Sequence, residues 1–91
     1  MPADRTPGCF CYMVECADGT LYTGWTTDPC RRVQEHNAGQ GARYTQSRRP
    51  VKLVYLEEHP DRSSAMQREY QIKQLTHEQK IDLAETTSDS G

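Results

Sequence analysis

Three short stretches rich in apolar, aromatic and β-branched residues are separated by polar turn signals, a pattern typical of β-strands. The first two stretches are residues 11–15 and 21–25, and an Asp-Gly turn signal lies between them. These two stretches therefore predict a β-hairpin. The third stretch, residues 52–58, is centred on an apolar run at residues 53–56 and predicts a third strand.

The polar segments between and after these strands carry helix signals. Asp28 followed by Pro29 is typical of a helix start, and this helix is predicted to end near Asn37. A second helix is predicted over residues 63–74, and Thr76 opens a third, short helix with a capping-box pattern. The order β-β-α-β-α-α predicts an α+β fold, an α/β sandwich in which helices flank a three-stranded antiparallel sheet.

The length of 91 residues suits a single domain. We predict a flexible N-terminus over residues 1–9, a folded domain over 10–83 and a disordered polar tail over 84–91. No apolar run approaches the roughly 20 residues that cross a bilayer, and the first residues lack the apolar stretch of a secretory signal. These features predict a cytoplasmic protein with no membrane partner.

The even number of cysteines is compatible with disulfides only in a secreted protein. Zinc sites favour paired ligands at spacings such as C-x-x-C, which do not occur in this sequence. We therefore favour reduced thiols, some of them buried, over a metal site or disulfides. The four residues concerned are Cys9, Cys11, Cys16 and Cys30.

Charge is distributed unevenly along the chain, whose net charge is −2. Between residues 31 and 52 there are six basic residues and one acid, a net charge of +5 in that window. Such a region can contact the phosphates of a nucleic acid, although a solvated loop explains it equally well. The basic residues are Arg31, Arg32, Arg43, Arg48, Arg49 and Lys52.

Glu69 lies on the apolar face of the second predicted helix. At helical spacing it shares that face with Ala65, Met66, Ile72, Lys73 and Thr76. A carboxylate at the centre of an inward face costs several kcal/mol unless it is paired or bound to a metal. Two interpretations remain open: a metal ligand, or an ion pair with an arginine or Lys73.

Arg32 and His36 are four residues apart on the first helix, so their side chains share a face. Val33 beside them indicates that this face points inward. A buried arginine needs an anionic partner, which could be Glu69 or a substrate phosphate. Taken alone, His36 is better explained as a satisfied histidine at a helix end.

Tyr22 and Gly24 lie on the same side of the second strand, opposite Leu21, Thr23 and Trp25. Glycine in a short strand often marks a close approach of backbone or ligand. Considered singly, Tyr22 and Tyr12 are better explained by core packing than by catalysis.

Taken together, these residues resemble the GIY-YIG nuclease family. The first family motif corresponds to Cys11-Tyr12-Met13 and the second to Tyr22-Thr23-Gly24, with the two tyrosines ten residues apart. The family's essential arginine corresponds to Arg32, and its metal-binding glutamate corresponds to Glu69. The resemblance covers residues 10–83.

The resemblance is most specific to a small stand-alone bacterial subfamily, through residues 18–24, 35–37 and 41–45. His36 with Asn37 is similar to a His-Asn helix ending found in part of the family. Two departures stand out: the first motif lacks its glycine, and Trp25 occupies a position where some branches carry a lysine.

The resemblance implies a metal-dependent endonuclease that hydrolyses phosphodiester bonds, with DNA favoured as partner and RNA as the alternative. One Mg²⁺ or Mn²⁺ would be bound by Glu69, with water and phosphate oxygens as its other ligands. Tyr22 is implied as general base, although tyrosine ordinarily has a pKa of about 10, so His36 is the alternative base. Arg32 would hold the scissile phosphate, and Tyr12 would support the water or the base.

The basic segment after the first helix is expected to lie along the nucleic acid backbone. The alternative functions are a catalytically weak nucleic-acid-binding module, or a nuclease subunit in DNA repair or recombination whose protein partner supplies specificity. The predicted substrate-binding residues are Gly24, Asn37, Arg43, Tyr44, Arg48 and Arg49.

Overall fold

The computed structural model describes residues 8–89, with side chains described to residue 85. Within this range, one three-stranded antiparallel sheet is flanked by four helices, which confirms the predicted α+β fold. The elements are β1 (Cys9–Glu15), β2 (Leu21–Thr26), α1 (Pro29–Asn37), α2 (Arg43–Gln46), β3 (Lys52–His59), α3 (Arg62–Lys73) and α4 (His77–Asp89).

The sheet has the strand order β2-β1-β3, so β1 is the central strand and pairs on both sides. This position fits its sequence, since the first strand is buried along almost its whole length. In the β1–β2 register, Tyr12 lies opposite Gly24 and Val14 lies opposite Tyr22. The register therefore brings both motif tyrosines and the motif glycine to neighbouring positions.

Two small cores lie on opposite faces of the sheet. Cys11 and Met13 of β1 pack with Ile72 of α3 in one core. Tyr12 and Val14 belong to the other core. Because successive side chains of a strand point to opposite faces, β1 supplies both cores in alternation. Residues from other elements complete the second core, among them Tyr22 and Val33.

The helix starts follow the predicted capping signals. The side chain of Asp28 accepts a hydrogen bond from the Arg31 backbone N–H (3.1 Å), at the start of α1. Before α4, the Thr76 N–H donates to the Gln79 side chain (2.9 Å) and the Gln79 N–H donates to Thr76 Oγ1 (3.1 Å). This reciprocal pair is the capping box that the sequence predicted.

Apart from shifts of one residue at element ends, the structure differs from the predicted boundaries in three places. The segment predicted as a continuous basic loop contains the short helix α2. β1 begins at Cys9, inside the predicted flexible N-terminus, because Cys9 pairs with His59 of β3. α4 continues to Asp89, past the predicted start of the disordered tail, and no Gly or Pro interrupts it. Residues 1–7 and 90–91 lie outside the described residues.

All four cysteines are free, and Cys9, Cys11 and Cys16 are buried. Burial raises the pKa of Cys11 to about 12, and the negative charge of Glu57 acts in the same direction. A thiol with such a pKa is protonated at neutral pH and is a poor nucleophile. Among the described helices, none has the length and apolar character needed to cross a membrane.

Candidate active site

A buried pair of side chains from β1 and α1 forms the centre of the candidate site. Tyr12 Oη lies 2.8 Å from His36 Nε2, and both side chains are fully enclosed, with 1% and 0% of their surface exposed. Arg32, one turn before His36 on α1, donates from Nε to Tyr12 Oη over 3.4 Å. Three of the four predicted catalytic residues are therefore in direct contact.

Enclosure determines the charge state of this pair. Burial raises the pKa of Tyr12 to about 12, because it outweighs the hydrogen bond and positive charge of Arg32. Burial also lowers the pKa of His36, and the positive charge of Arg32 lowers it further. Both side chains are therefore neutral at neutral pH, and only Arg32 carries charge among the three.

Tyr22, the fourth predicted catalytic residue, packs against this group through its ring. Its centroid lies 5.5 Å from that of His36 and 6.5 Å from that of Tyr12. On another side it stacks with Tyr44 of α2 at 5.8 Å and 27°. Within the described part of the chain, no hydrogen bond holds the Tyr22 hydroxyl. A half-exposed phenol without a protein partner can bind a water molecule.

Glu69 reaches this group from α3. Its Oε2 forms an ion pair with Lys73 Nζ at 3.0 Å, and the same ammonium lies 5.8 Å from the Tyr22 ring centroid. The charge of Glu69 is also among the causes that raise the pKa of Tyr12. The acid predicted as a metal ligand is therefore connected through Lys73 to the tyrosine predicted as base.

The predicted apolar face around Glu69 is only partly correct. Ala65 and Ile72 are fully buried, but Met66 is 46% exposed and Lys73 lies at the surface. Each helical residue is rotated by about 100° from the last, so the buried face centres on Ala65 and Ile72 and excludes Met66. Glu69 therefore lies at the edge of the core, with 19% of its side chain exposed, and forms the ion pair proposed as the alternative.

α3 is fixed to the sheet by a polar cluster around Glu57 of β3. Tyr55 Oη donates to Glu57 over 2.5 Å, and Arg68 Nε donates over 3.0 Å. Burial opposes ionisation of Glu57, but these hydrogen bonds, that of His59 and the charge of Arg68 together lower its pKa. Arg68 adjoins Glu69, so this cluster holds the helix that presents the candidate metal ligand.

Arg32 finds its anionic partner within its own helix. Its Nη1 donates to Glu35 Oε1 over 3.0 Å, so the alternative partner Glu69 is not used. About a third of the Arg32 side chain remains exposed, and its Nη2 donates no hydrogen bond to the described residues. The guanidinium is oriented by two protein contacts and keeps one edge for an incoming anion.

The family model for the GIY-YIG catalytic domain matches residues 8–82, which is most of the chain. The chain belongs to the GIY-YIG family. Membership implies nuclease chemistry in general, nucleic acid as the binding partner and dependence on a divalent metal ion. The resemblance drawn from the sequence motifs is thereby confirmed.

Relatives of this GIY-YIG domain are small UPF0213 proteins. One from Haloquadratum walsbyi is 55% identical over 80 residues, 88% of this chain and 90% of the relative. One from Halobacterium salinarum is 59% identical over 72 residues, 79% of this chain and 94% of the relative.

Two solution structures share the fold of this GIY-YIG domain. The UPF0213 protein of Bacillus halodurans has a TM-score of 0.56 at 40% identity, covering 87% of this chain and 84% of that one. A protein of E. faecalis has a TM-score of 0.61 at 38% identity, covering 91% and 88%.

A metal ion at this GIY-YIG domain would have few protein ligands. No group of three or more His, Cys, Asp or Glu in the described residues is arranged to hold a metal ion. Mg²⁺ can instead be held by one carboxylate, with water and substrate phosphate at its remaining positions. Glu69 fits this role, since its Oε1 has no protein partner within the described residues, although Lys73 occupies Oε2.

Two predicted substrate-binding residues have packing or hydrogen-bonding roles in the GIY-YIG domain. A Cβ added at Gly24 would lie 2.7 Å from Tyr12 Oη, so the close approach is that of a tyrosine ring. Asn37 Nδ2 donates to Val51 O (3.0 Å), and the Val51 N–H donates to Asn37 Oδ1 (2.7 Å). Asn37 therefore ties α1 to the residue that precedes β3, and its predicted substrate contact stays a prediction.

The basic residues around α2 divide into two groups. Arg48 lies over the Tyr44 ring, 4.0 Å from its centroid, and its Nε is 3.2 Å from Asp18 Oδ2 without hydrogen-bond geometry. Arg49 donates to the backbone carbonyls of Gln46 and Asn37. Arg43 is exposed. Of the predicted basic contacts, only Arg43 has no hydrogen bond or ion pair within the described residues.

Two residues of the site were not predicted from the sequence. Thr45 of α2 is fully buried, and its Oγ1 lies 2.8 Å from His36 Nδ1. Glu35 orients Arg32. Position 45 lies in the segment that resembles the subfamily, which was a signal for Thr45. Glu35 had the local signal of an acid three residues after an arginine on a helix.

Gly24→Ala is expected to destabilise the fold by about 1–3 kcal/mol, which is the usual cost of overpacking. Alanine normally gains about 0.5–1 kcal/mol over glycine in a strand, but here the added methyl overlaps Tyr12. Tyr12 cannot move aside readily, because His36 and Arg32 hold its hydroxyl. Urea unfolding of both proteins measures the difference, and an unchanged midpoint would contradict this packing.

Stability is expected to fall as the pH drops below about 6.5, the ordinary pKa of histidine. His36 has a lowered pKa in the folded protein, so the unfolded chain binds the proton more readily. The contribution of neutral His36 to the free energy of unfolding is complete above pH 6.5. It is lost towards lower pH, by up to about 1.4 kcal/mol per pH unit. Urea unfolding between pH 8 and 5 measures this, and His36→Gln should show a flatter dependence. If the free energy of unfolding depended on pH with the same slope in both proteins, burial of His36 would not be the cause of the pH dependence.

Proposed function

We propose that this GIY-YIG domain is a metal-dependent endonuclease that hydrolyses phosphodiester bonds in DNA. Its cofactor is a single Mg²⁺ or Mn²⁺ at Glu69. The observation that carries the proposal is the convergence of β1, β2, α1 and α3 on one group of side chains. This group contains a free phenol, a partly free guanidinium and a partly free carboxylate, which are Tyr22, Arg32 and Glu69.

The geometry supports Tyr22 over His36 as the residue that takes the proton from the attacking water. His36 is completely buried, and both of its ring nitrogens already have protein partners, Tyr12 and Thr45. A general base must come within hydrogen-bond reach of the water. The Tyr22 hydroxyl has no hydrogen-bond partner among the described residues and so has its hydrogen-bonding capacity available for that water, beside the Lys73 ammonium 5.8 Å from its ring centroid.

Arg32 is positioned to stabilise the phosphoryl group as negative charge develops on it. Its Nε and Nη1 are held by Tyr12 and Glu35, so the side chain loses little further freedom when substrate binds. A preorganised cationic donor acts mainly in the transition state, where the phosphoryl oxygens are most negative. Glu69 is the side chain that would hold a divalent metal ion, which would supply positive charge for the leaving oxygen.

Nucleic acid binding would use the segment that follows α1. Arg43 is exposed there, in the same segment as Tyr44 and Arg48. Its guanidinium forms no hydrogen bond or ion pair with the described residues. Because Arg48 and Arg49 already bind protein groups, Arg43 alone among the three described arginines of this segment is free for phosphate contacts. This observation favours one alternative: a nuclease subunit that depends on a protein partner for affinity and specificity.

Metal removal tests the proposed activity. Purified protein should cut end-labelled branched, nicked or single-stranded DNA in Mg²⁺ or Mn²⁺, and a chelator should abolish the cutting. RNA of matched sequence tests the preference for DNA. If no substrate is cut in either metal ion, alone or after a pull-down that recovers partners, the proposed nuclease activity is wrong.

A further inference from the structure

A chain of hydrogen bonds runs through the buried centre of the site and beyond it into α2. Arg32 Nε, Tyr12 Oη and His36 Nε2 form its first part, at 3.4 and 2.8 Å. It continues from His36 Nδ1 to Thr45 Oγ1 at 2.8 Å, and from Thr45 Oγ1 to the Ala42 carbonyl at 2.9 Å. Four side chains and one backbone group from three elements are thereby linked.

The two ends of this chain fix the direction of every proton in it. A carbonyl oxygen only accepts, so the contact between Thr45 Oγ1 and Ala42 O assigns the single hydroxyl proton of Thr45 to Ala42, whose carbonyl also accepts from the Thr45 N–H over 3.0 Å. Thr45 Oγ1 can then only accept from His36, which places the imidazole proton on Nδ1. At the other end the Arg32 guanidinium only donates, and Tyr12 is left to donate to the unprotonated Nε2.

The opposite tautomer would leave a buried donor unsatisfied. If His36 carried its proton on Nε2, the Tyr12 proton would have to turn away from it. Tyr12 is 1% exposed. Among the described residues its hydroxyl has hydrogen-bond contacts with His36 and Arg32 alone, and the Arg32 guanidinium cannot accept. An unpaired buried donor is costly, so the direction that starts at Arg32 and ends at Ala42 is strongly preferred.

We propose that Thr45 is a positioning residue that holds His36 in the Nδ1–H tautomer. The Tyr12 oxygen is thereby directed towards Arg32. Gly41 reinforces this arrangement, because a Cβ at that position would overlap the His36 imidazole and displace it. Thr45 acts on the reaction through His36, Tyr12 and Arg32. Its effect on cleavage rests on the proposed nuclease function, whereas its effect on the tautomer does not.

The same residue couples the basic segment to the catalytic group. Thr45 directly follows Tyr44, and the Tyr44 ring stacks on Tyr22. The side chain of Thr45 anchors α2 to His36 of α1. A displaced α2 would therefore disturb both the orientation of Arg32 and the packing of Tyr22. Misplacement of reacting groups by about 1 Å can cost on the order of a hundredfold in rate.

The test compares Thr45→Val with Thr45→Ser. Valine keeps the shape of threonine but cannot accept from His36, whereas serine keeps the hydroxyl. Long-range ¹H–¹⁵N spectra of the imidazole distinguish the tautomers. We expect the Nδ1–H tautomer of His36 in the wild type and in Thr45→Ser. In Thr45→Val we expect the Nδ1–H tautomer no longer to be the only one present. Cleavage should show kcat lower by roughly tenfold to a hundredfold in Thr45→Val, with KM within about twofold and near-normal values in Thr45→Ser.

Two outcomes would overturn the proposal. One is an Nε2–H tautomer of His36 in the wild type, a result that needs no variant and no activity. The other is a folded Thr45→Val protein that keeps the wild-type tautomer and kcat. If Thr45→Val does not fold, the wild-type and Thr45→Ser spectra still decide the tautomer. If the protein cuts no substrate, the spectra alone test the role of Thr45, and only the proposed nuclease function fails.

Discussion

Glu69→Gln is expected to reduce DNA cleavage in Mg²⁺ by on the order of a thousandfold or more. The substitution keeps the shape of the side chain and removes the charge that would hold the metal ion, so positive charge for the leaving oxygen is lost. Folding should change little, because the ion pair with the exposed Lys73 contributes at most about 1 kcal/mol. Single-turnover cleavage and urea unfolding measure the two quantities.

The matched control for this variant is Glu58→Gln. Glu58 is an exposed carboxylate of β3, outside the candidate site, so its neutralisation alters net charge by the same amount. It should cleave at the wild-type rate. A Glu69→Gln protein that cuts DNA as fast as the wild type in magnesium would exclude Glu69 as the metal ligand.

Tyr22→Phe is expected to lower kcat by about a hundredfold to a thousandfold, the usual range for loss of a general base. The ring remains and can keep its stacking on Tyr44 and its contact with His36, so stability should be preserved. The hydroxyl makes no hydrogen bond to the described residues, so its removal leaves no protein group unpaired. Cleavage kinetics across the pH range provide the measurement.

Tyr70→Phe is the appropriate control, since Tyr70 is a tyrosine of α3 that is 68% exposed. It should behave as the wild type. Wild-type activity in Tyr22→Phe would exclude Tyr22 as the general base. His36 would then be the candidate base, despite its burial.

The fold was predictable because its signals are local. Asp28 with Pro29, and Thr76 with Gln79, mark helix starts through contacts made within one turn, and the structure contains these contacts. The hairpin follows from two strand patterns around a short turn. α2 was missed because its four residues are too few for a periodic pattern, and its hydroxyl anchor Thr45 bonds to a distant histidine.

Candidate site residues could be singled out where their side chains conflict with simple packing. Glu69 beside apolar neighbours and Arg32 on a helix face predicted to point inward were selected in this way, and their roles stay predictions. The packing contact of Gly24 and the hydrogen bonds of Asn37 could not be predicted, because their partners, Tyr12 of β1 and Val51 just before β3, are distant in the sequence. Such pairings depend on strand register and on how helix ends meet the sheet, which spacing along one element does not specify.

The central claim is that an acid of α3, a guanidinium of α1 and a phenol of β2 surround one metal-binding site. Titration of ¹⁵N-labelled protein with Mn²⁺ tests it most directly, because a bound paramagnetic ion broadens the signals of nearby residues. We expect selective broadening around Glu69, Tyr22 and Arg32 in the wild type and its loss in Glu69→Gln. Broadening confined to other surfaces, or unchanged in Glu69→Gln, would contradict it.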